Sequence, residues 1–138
     1  MILCDAGPMI ALIDQDDIHH SRCAEVLRTL AAPLVTTWPC LTEAMYRLHQ
    51  AGGHRAQDEL WGFVEEGLLR LHPASETEQR RMRALMGKYH DTPMDLADAS
   101  LVAAAEVLNQ RRVFSLDSDF YVYRIGEGRA AGSFEIVP

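Results

Sequence analysis

The chain has 138 residues, which suits one domain spanning 1–138 and leaves little room for a second. Thirteen Lys and Arg stand against 20 Asp and Glu, a net charge of −7 that argues against a protein coating polyanions without selectivity. Hydrophobic residues make up 48%, so a core can form without disulfides or a structural metal.

Ile2-Leu3-Cys4 is a short apolar run that stops at Asp5, a pattern that predicts a buried strand followed by a turn at Ala6-Gly7. No basic segment precedes it, so it does not read as a signal peptide. No apolar stretch approaches the roughly 18 residues that cross a bilayer. Cys4, Cys23 and Cys40 show neither a CxxC nor a Cys/His zinc spacing, and they read as free thiols of a reducing, cytoplasmic compartment. Pro8 is expected to open a helix over Met9–Ile13. A polar connection follows, then a helix from Ser21 to Leu30 with Cys23, Val26, Leu27 and Leu30 on one face. Pro33–Thr36 reads as a second strand, and Thr37 caps a helix from Trp38 to Gln50 that ends at Gly52-Gly53. His54–Glu66 is expected to form a separate helix, and Leu68–Leu71 a third strand. Ser75 and Glu78 have capping-box spacing ahead of a charged helix running to about Tyr89. Thr92-Pro93 is expected to open the next helix, and Val113–Leu116 and Phe134–Val137 to supply the last strands. Strands alternating with helices predict an α/β fold on a mostly parallel sheet.

In such sheets ligands bind beyond the carboxyl ends of the strands. Asp5 follows the first predicted strand and Asp117 the fourth. Glu43 lies about one turn into the helix after the second, and Asp98 lies early in the helix before the fourth. Four carboxylates from distant stretches can therefore meet at one sheet end. Held a few ångströms apart they repel, and a cation resolves the conflict. An all-oxygen set suits Mg²⁺ or Mn²⁺, which can lower the pKa of a water that attacks phosphorus. With Thr92 as N-cap, Asp95 falls at the third helical position, so it is assigned an auxiliary or capping part and Asp98 the ligand part. Asp117 and Asp119, in Ser-Leu-Asp-Ser-Asp-Phe, also fit a turn, and Asp119 is carried as auxiliary.

The order Ile-Leu-Cys-Asp5-Ala-Gly-Pro-Met-Ile-Ala-Leu-Ile, Leu-Thr-Glu43-Ala, Met-Asp-Leu-Ala-Asp98-Ala and Phe-Ser-Leu-Asp117-Ser-Asp-Phe resembles the PIN-domain family. Within it, the chain looks like the VapC-type toxin ribonucleases of toxin–antitoxin pairs. The resemblance implies a three-layer α/β/α sandwich and a divalent-metal site at Asp5, Glu43, Asp98 and Asp117. It matches Ser115 to a small hydroxyl residue that orients the site. It implies endonucleolytic cleavage of RNA to 5′-phosphate and 3′-hydroxyl ends, a homodimer, and a small antitoxin that offers a basic side chain to the acidic pocket. The net negative charge fits that pairing. One departure stands out: Ala6-Gly7 follows the first acid where many relatives carry Thr or Ser, so a hydroxyl contact is expected to be missing there.

Among the basic residues, Arg47 lies one turn beyond Glu43 and is the expected substrate contact. Arg55, Arg80, Arg81, Arg83, Lys88, Arg111, Arg112, Arg124 and Arg129 are further phosphate candidates, with Arg80, Arg81 and Arg83 better read as outer-face charges. Trp38 and Tyr121 have rings able to stack bases, but core or interface packing is the better reading, and His19 and His20, near the end of the first helix, are better read as polar loop residues than as pocket groups. Other classes fit worse. A phosphatase of Asp-x-Asp type requires an acid where Gly7 stands, and no Walker loop or GxGxxG motif is present. A catalytically inactive PIN-like module binding RNA or protein is the remaining alternative.

Overall fold

The computed structural model describes residues 1–138. In chain order they form β1 (Ile2–Cys4), α1 (Ala6–Ile13), α2 (His20–Thr29), β2 (Leu34–Thr37), α3 (Trp38–Glu65), β3 (Leu69–His72), α4 (Glu76–Lys88), α5 (Leu96–Leu108), β4 (Arg112–Phe114), β5 (Arg124–Ile125), β6 (Gly132–Ser133) and β7 (Glu135–Val137). Five strands make one sheet in the order β3-β2-β1-β4-β7, every neighbouring pair parallel. β5 and β6 form a separate antiparallel hairpin.

The strand order places the helices. From β1 the chain steps to β2 and on to β3 in one direction, then returns past β1 to β4. Right-handed crossovers therefore lay α1, α2 and α3 on one face and α4 and α5 on the other, giving the expected three layers. The reversal falls between β1 and β4, and a crevice opens there at the strands' carboxyl ends. Because both faces are covered, β1 is buried throughout and β4 at Val113 and Phe114. These residues join Leu101, Leu85 and Tyr123 in one cluster of 33 buried residues.

The predicted boundaries shift at three helices, each for a local reason. α1 begins at Ala6, because the Asp5 side chain caps it by accepting the Ala6 N–H at 2.8 Å. Pro8 sits at the third position, where no intrahelical N–H is needed. The two helices expected on either side of Gly52-Gly53 run on as α3, broken at Gly53 with φ 65° and ψ −155°. That conformation is open to glycine and strained for other residues. α5 does not open at Thr92-Pro93. Thr92 and Met94 both give their N–H groups to the Tyr89 carbonyl, which closes a turn after α4, and Asp95 becomes the N-cap by accepting the Asp98 N–H at 2.8 Å. The Ser75–Glu78 capping box is present in both halves, and the second Glu78 oxygen pairs with His72 Nε2 at 2.7 Å. The short hairpin was not foreseen, since strands of two residues carry no periodicity to read.

Candidate metal centre

Each acid is held by its own element. Asp5 closes β1 and caps α1, so one carboxylate oxygen is engaged by backbone and the other is aimed at the crevice. Ser115, just past β4, donates its hydroxyl to that second oxygen at 2.9 Å. The same hydroxyl accepts the Asp117 N–H at 3.0 Å, tying the first acid to the fourth through one atom. Asp117 in turn accepts the Asp119 N–H at 2.9 Å and starts a single 3₁₀ turn, Ser118–Tyr121. Asp98 sits at the third position of α5, its backbone capped by Asp95 and its carboxylate accepting the Tyr123 hydroxyl at 2.8 Å.

Carboxylate oxygens of Asp5, Asp98 and Asp117 lie within 4.8 Å of one another. They open into a cavity of about 290 Å³ whose lining also includes Gly7, Asp17, His19, Glu43, Arg47 and Asp95. Glu43 and Arg47 are thus brought to the crevice by α3, one turn apart, with Glu43 outside the close trio. Asp95 lines the cavity while serving as the α5 cap. Asp119 does not line it and acts on the turn after Asp117. Ala6 offers no hydroxyl beside the first acid, and the hydroxyl bonded to Asp5 is that of Ser115, just past β4.

The electrostatics follow from crowding in a buried place. Burial pushes the Asp5 carboxyl up to about 6, aided by Glu43 and Asp117, against the stabilising hydrogen bonds from Ser115 and Ala6. Burial pushes Asp98 up to about 7, aided by Asp95, Asp5 and Asp117, against the Tyr123 hydroxyl. Glu43 is raised by burial and then by Asp95, with Arg47 pulling the other way. Cys40 lies 4.0 Å from Asp5, but burial and that carboxylate raise its thiol, so it stays protonated and donates to the Ala97 carbonyl at 3.6 Å. The available donors are therefore oxygens. A hard dication such as Mg²⁺ or Mn²⁺ fits them and relieves the repulsion that adds to burial in raising both carboxyls.

Tyr123 was not singled out from sequence. It lies in Phe120-Tyr121-Val122-Tyr123, where spacing gives no hint which ring turns inward. In the structure it is fully buried, edge-on to Tyr89 and Phe120 at 5.1 and 5.3 Å between ring centres. The Tyr89 hydroxyl accepts the Arg124 N–H at 3.0 Å and fixes the chain just beyond. Of the other basic candidates, Arg81 is committed to Glu106 at 2.9 Å and Glu127 at 2.7 Å, and Arg124 to the carbonyls of Tyr121, Val122 and Tyr123. Arg81 is therefore not free for phosphate. His19 lines the cavity, whereas His20 Nδ1 pairs with the Ala11 carbonyl at 2.7 Å. Trp38 stands half exposed in a neighbouring apolar groove that shares Glu43 and Asp95 with the cavity.

No family model matches the chain, and no curated protein matches it. Among solved structures, the fold matches VapC20 of Mycobacterium tuberculosis, a toxin that cleaves the sarcin–ricin loop. The TM-score is 0.82 at 17% identity, over 88% of this chain and 94% of that one. A toxin–antitoxin complex from Klebsiella pneumoniae contains a chain matched with a TM-score of 0.67 at 16% identity, over 87% of this chain and 90% of that one. At such identities the likeness is one of fold, and the fold is the PIN-like arrangement expected from the sequence.

Proposed function

We propose that the chain is a divalent-metal-dependent endoribonuclease, one domain over 1–138, acting as the toxin of a toxin–antitoxin pair. The observation that carries this reading is the convergence of Asp5, Asp98 and Asp117 within 4.8 Å at the switch point of a parallel sheet. A fold shared with an RNA-cleaving toxin supports it. The reaction is hydrolysis of a phosphodiester, in which water oxygen bonds to phosphorus and the bond to the 3′ oxygen breaks, leaving 5′-phosphate and 3′-hydroxyl ends.

Asp5, Asp98 and Asp117, with Glu43 beside them, would hold Mg²⁺ or Mn²⁺. The ion supplies Lewis-acid neutralisation of charge on the phosphate and the reacting oxygens. The chain's own residues do the positioning. Ser115 keeps the Asp5 carboxylate and the Asp117 backbone in one geometry, and Tyr123 keeps Asp98 turned to the cavity. Glu43, which lines the cavity beside the trio, would take the proton given up by water. Arg47, on the same side of α3, holds a non-bridging phosphate oxygen.

A small antitoxin that offers a basic side chain to the acidic cavity is the proposed protein partner, and the net charge of −7 favours that encounter. A homodimer is proposed on the exposed side chains of Trp38, Tyr46 and Leu96, which line one apolar groove. The proposed compartment is the cytoplasm, in keeping with three free buried thiols and no helix long and apolar enough to cross a membrane.

The test is cleavage of single-stranded RNA by the purified chain. Mg²⁺ or Mn²⁺ should give 5′-phosphate products and EDTA should stop the reaction. Asp5→Asn and Asp98→Asn should each lower the rate by about a hundredfold or more with the fold intact, as expected when transition-state charge stabilisation is lost. Equal cleavage by wild type and both variants would overturn the site. No cleavage by any of them would favour the inactive binding module.

A further inference from the structure

A second groove runs from the acidic cavity on the side away from Glu43 and Arg47. It shares His19, Leu116 and Asp117 with that cavity and continues to Arg22, Ser118 and Tyr121. Three features set it apart. Arg22 is exposed and forms no ion pair, whereas Arg81 is committed to Glu106 and Glu127. Tyr121 is 67% exposed, although Phe120 before it and Tyr123 two residues on are completely buried. The 3₁₀ turn that presents its ring is capped by Asp117 itself, so the ring stands one short turn from the fourth acid.

We propose that this groove binds the unpaired nucleotide adjoining the phosphate at the acidic cavity, with its base against Tyr121 and its phosphate at Arg22 and His19. The proposal rests on the ribonuclease reading and names the substrate element that reading needs. A cavity of carboxylates repels a polyanion until cations enter it, so the cations and ring surfaces that grip the strand must flank it. Arg47 serves one flank, and Arg22 with His19 the other. One exposed ring beside one unpaired guanidinium matches the base-and-phosphate chemistry of a single strand, where stacking tolerates any base and the cation tracks the backbone.

The experiment measures binding of a short fluorescein-labelled single-stranded RNA to the full chain carrying Asp98→Asn, so that cleavage does not interfere. Adding Tyr121→Ala should weaken binding about tenfold, and Tyr121→Phe should leave it near the parent value. Adding Arg22→Ala should reduce the slope of log affinity against log salt by about 0.7. An abasic residue at one position of the RNA should erase the Tyr121→Ala difference, while abasic residues elsewhere should not. In the otherwise wild-type chain the same two substitutions should raise KM about tenfold with kcat nearly unchanged, because they touch binding and not the reacting atoms. Unchanged RNA affinity in both variants overturns the proposal and assigns the groove to a protein partner. A wild type that binds RNA through Tyr121 but never cleaves it defeats the ribonuclease reading and leaves the groove standing.

Discussion

At Asp98 two influences oppose each other: burial among carboxylates favours the neutral acid, and the Tyr123 hydroxyl favours the anion. Burial wins, as it does at Asp5, and the two carboxyls are pushed up to about 7 and about 6. Both folded values lie above the ordinary aspartate range. Between about pH 4 and pH 7 the folded chain therefore binds more protons than the unfolded chain, and stability is lost as pH rises through that window. In EDTA, thermal melts should show a lower Tm at about pH 8 than at about pH 5. Saturating Mg²⁺ should restore several degrees at the higher pH and little at the lower, since binding to the folded state alone stabilises it. An Mg²⁺ effect independent of pH would count against a cation shared by these acids. Removing the opposing hydroxyl gives a second check. Tyr123→Phe keeps the ring packing, so Tm should fall only modestly, while Mn²⁺ affinity by calorimetry should drop about tenfold or more, the weight of one hydrogen bond to a charged group. Unchanged affinity would reduce Tyr123 to a packing residue. That Asp5, Glu43, Asp98 and Asp117 face one crevice was legible because Asp5 and Asp117 follow strands and Asp98 and Glu43 lie within the first two turns of their helices. Tyr123 leaves no such local trace, because its partner is 25 residues away and only the fold joins them.

The start of α5 shows how one element sets the site. Thr-Pro is a good helix opening in isolation, and Thr92 gave a plausible cap, but the turn after α4 consumes the Thr92 N–H and leaves Asp95 to begin the helix. This moves Asp98 to the third position, where its backbone is pinned by Asp95 and its side chain emerges into the cavity. Asp95→Ala should cost about 1 kcal/mol in urea unfolding and Asp95→Ser much less, the usual order for caps. Thr92→Ala should be close to neutral. A larger loss at Thr92 than at Asp95 would contradict the assigned boundary. Other elements were readable for plain reasons: β1, β2 and the Ser75 box have local signals that agree with the fold. The hairpin of β5 and β6 was not, because what holds it is a long-range ion pair.

Arg81 on α4 makes two bonds to Glu106 on α5, both at 2.9 Å, and reaches Glu127 in the hairpin at 2.7 Å. Glu106 also accepts the Gly126 N–H at 2.9 Å. The outer helical layer and the segment following Tyr123 are thereby fastened together. Arg81→Met should lower stability by about 2 kcal/mol, less than a fully buried pair because Glu127 is largely exposed. Hydrogen exchange should quicken in residues 124–133 and leave β1 and β2 protected. Uniform loss of protection would show that the hairpin is not separately fastened.

The strand order carries one more consequence, for a chain emerging from the ribosome. β1 is the first strand made, yet it lies between β2 and β4, and Ser115 meets Asp5 across 110 residues. Synthesis at about 5–20 residues per second leaves a nascent chain several seconds in which one side of β1 has no partner and the acids stand apart. A truncated product lacking the last quarter lacks Asp117, Ser115 and Tyr123 together. Asp5, Asp98 and Asp117 therefore cannot meet until the segment that carries Ser115, Asp117 and Tyr123 has been made.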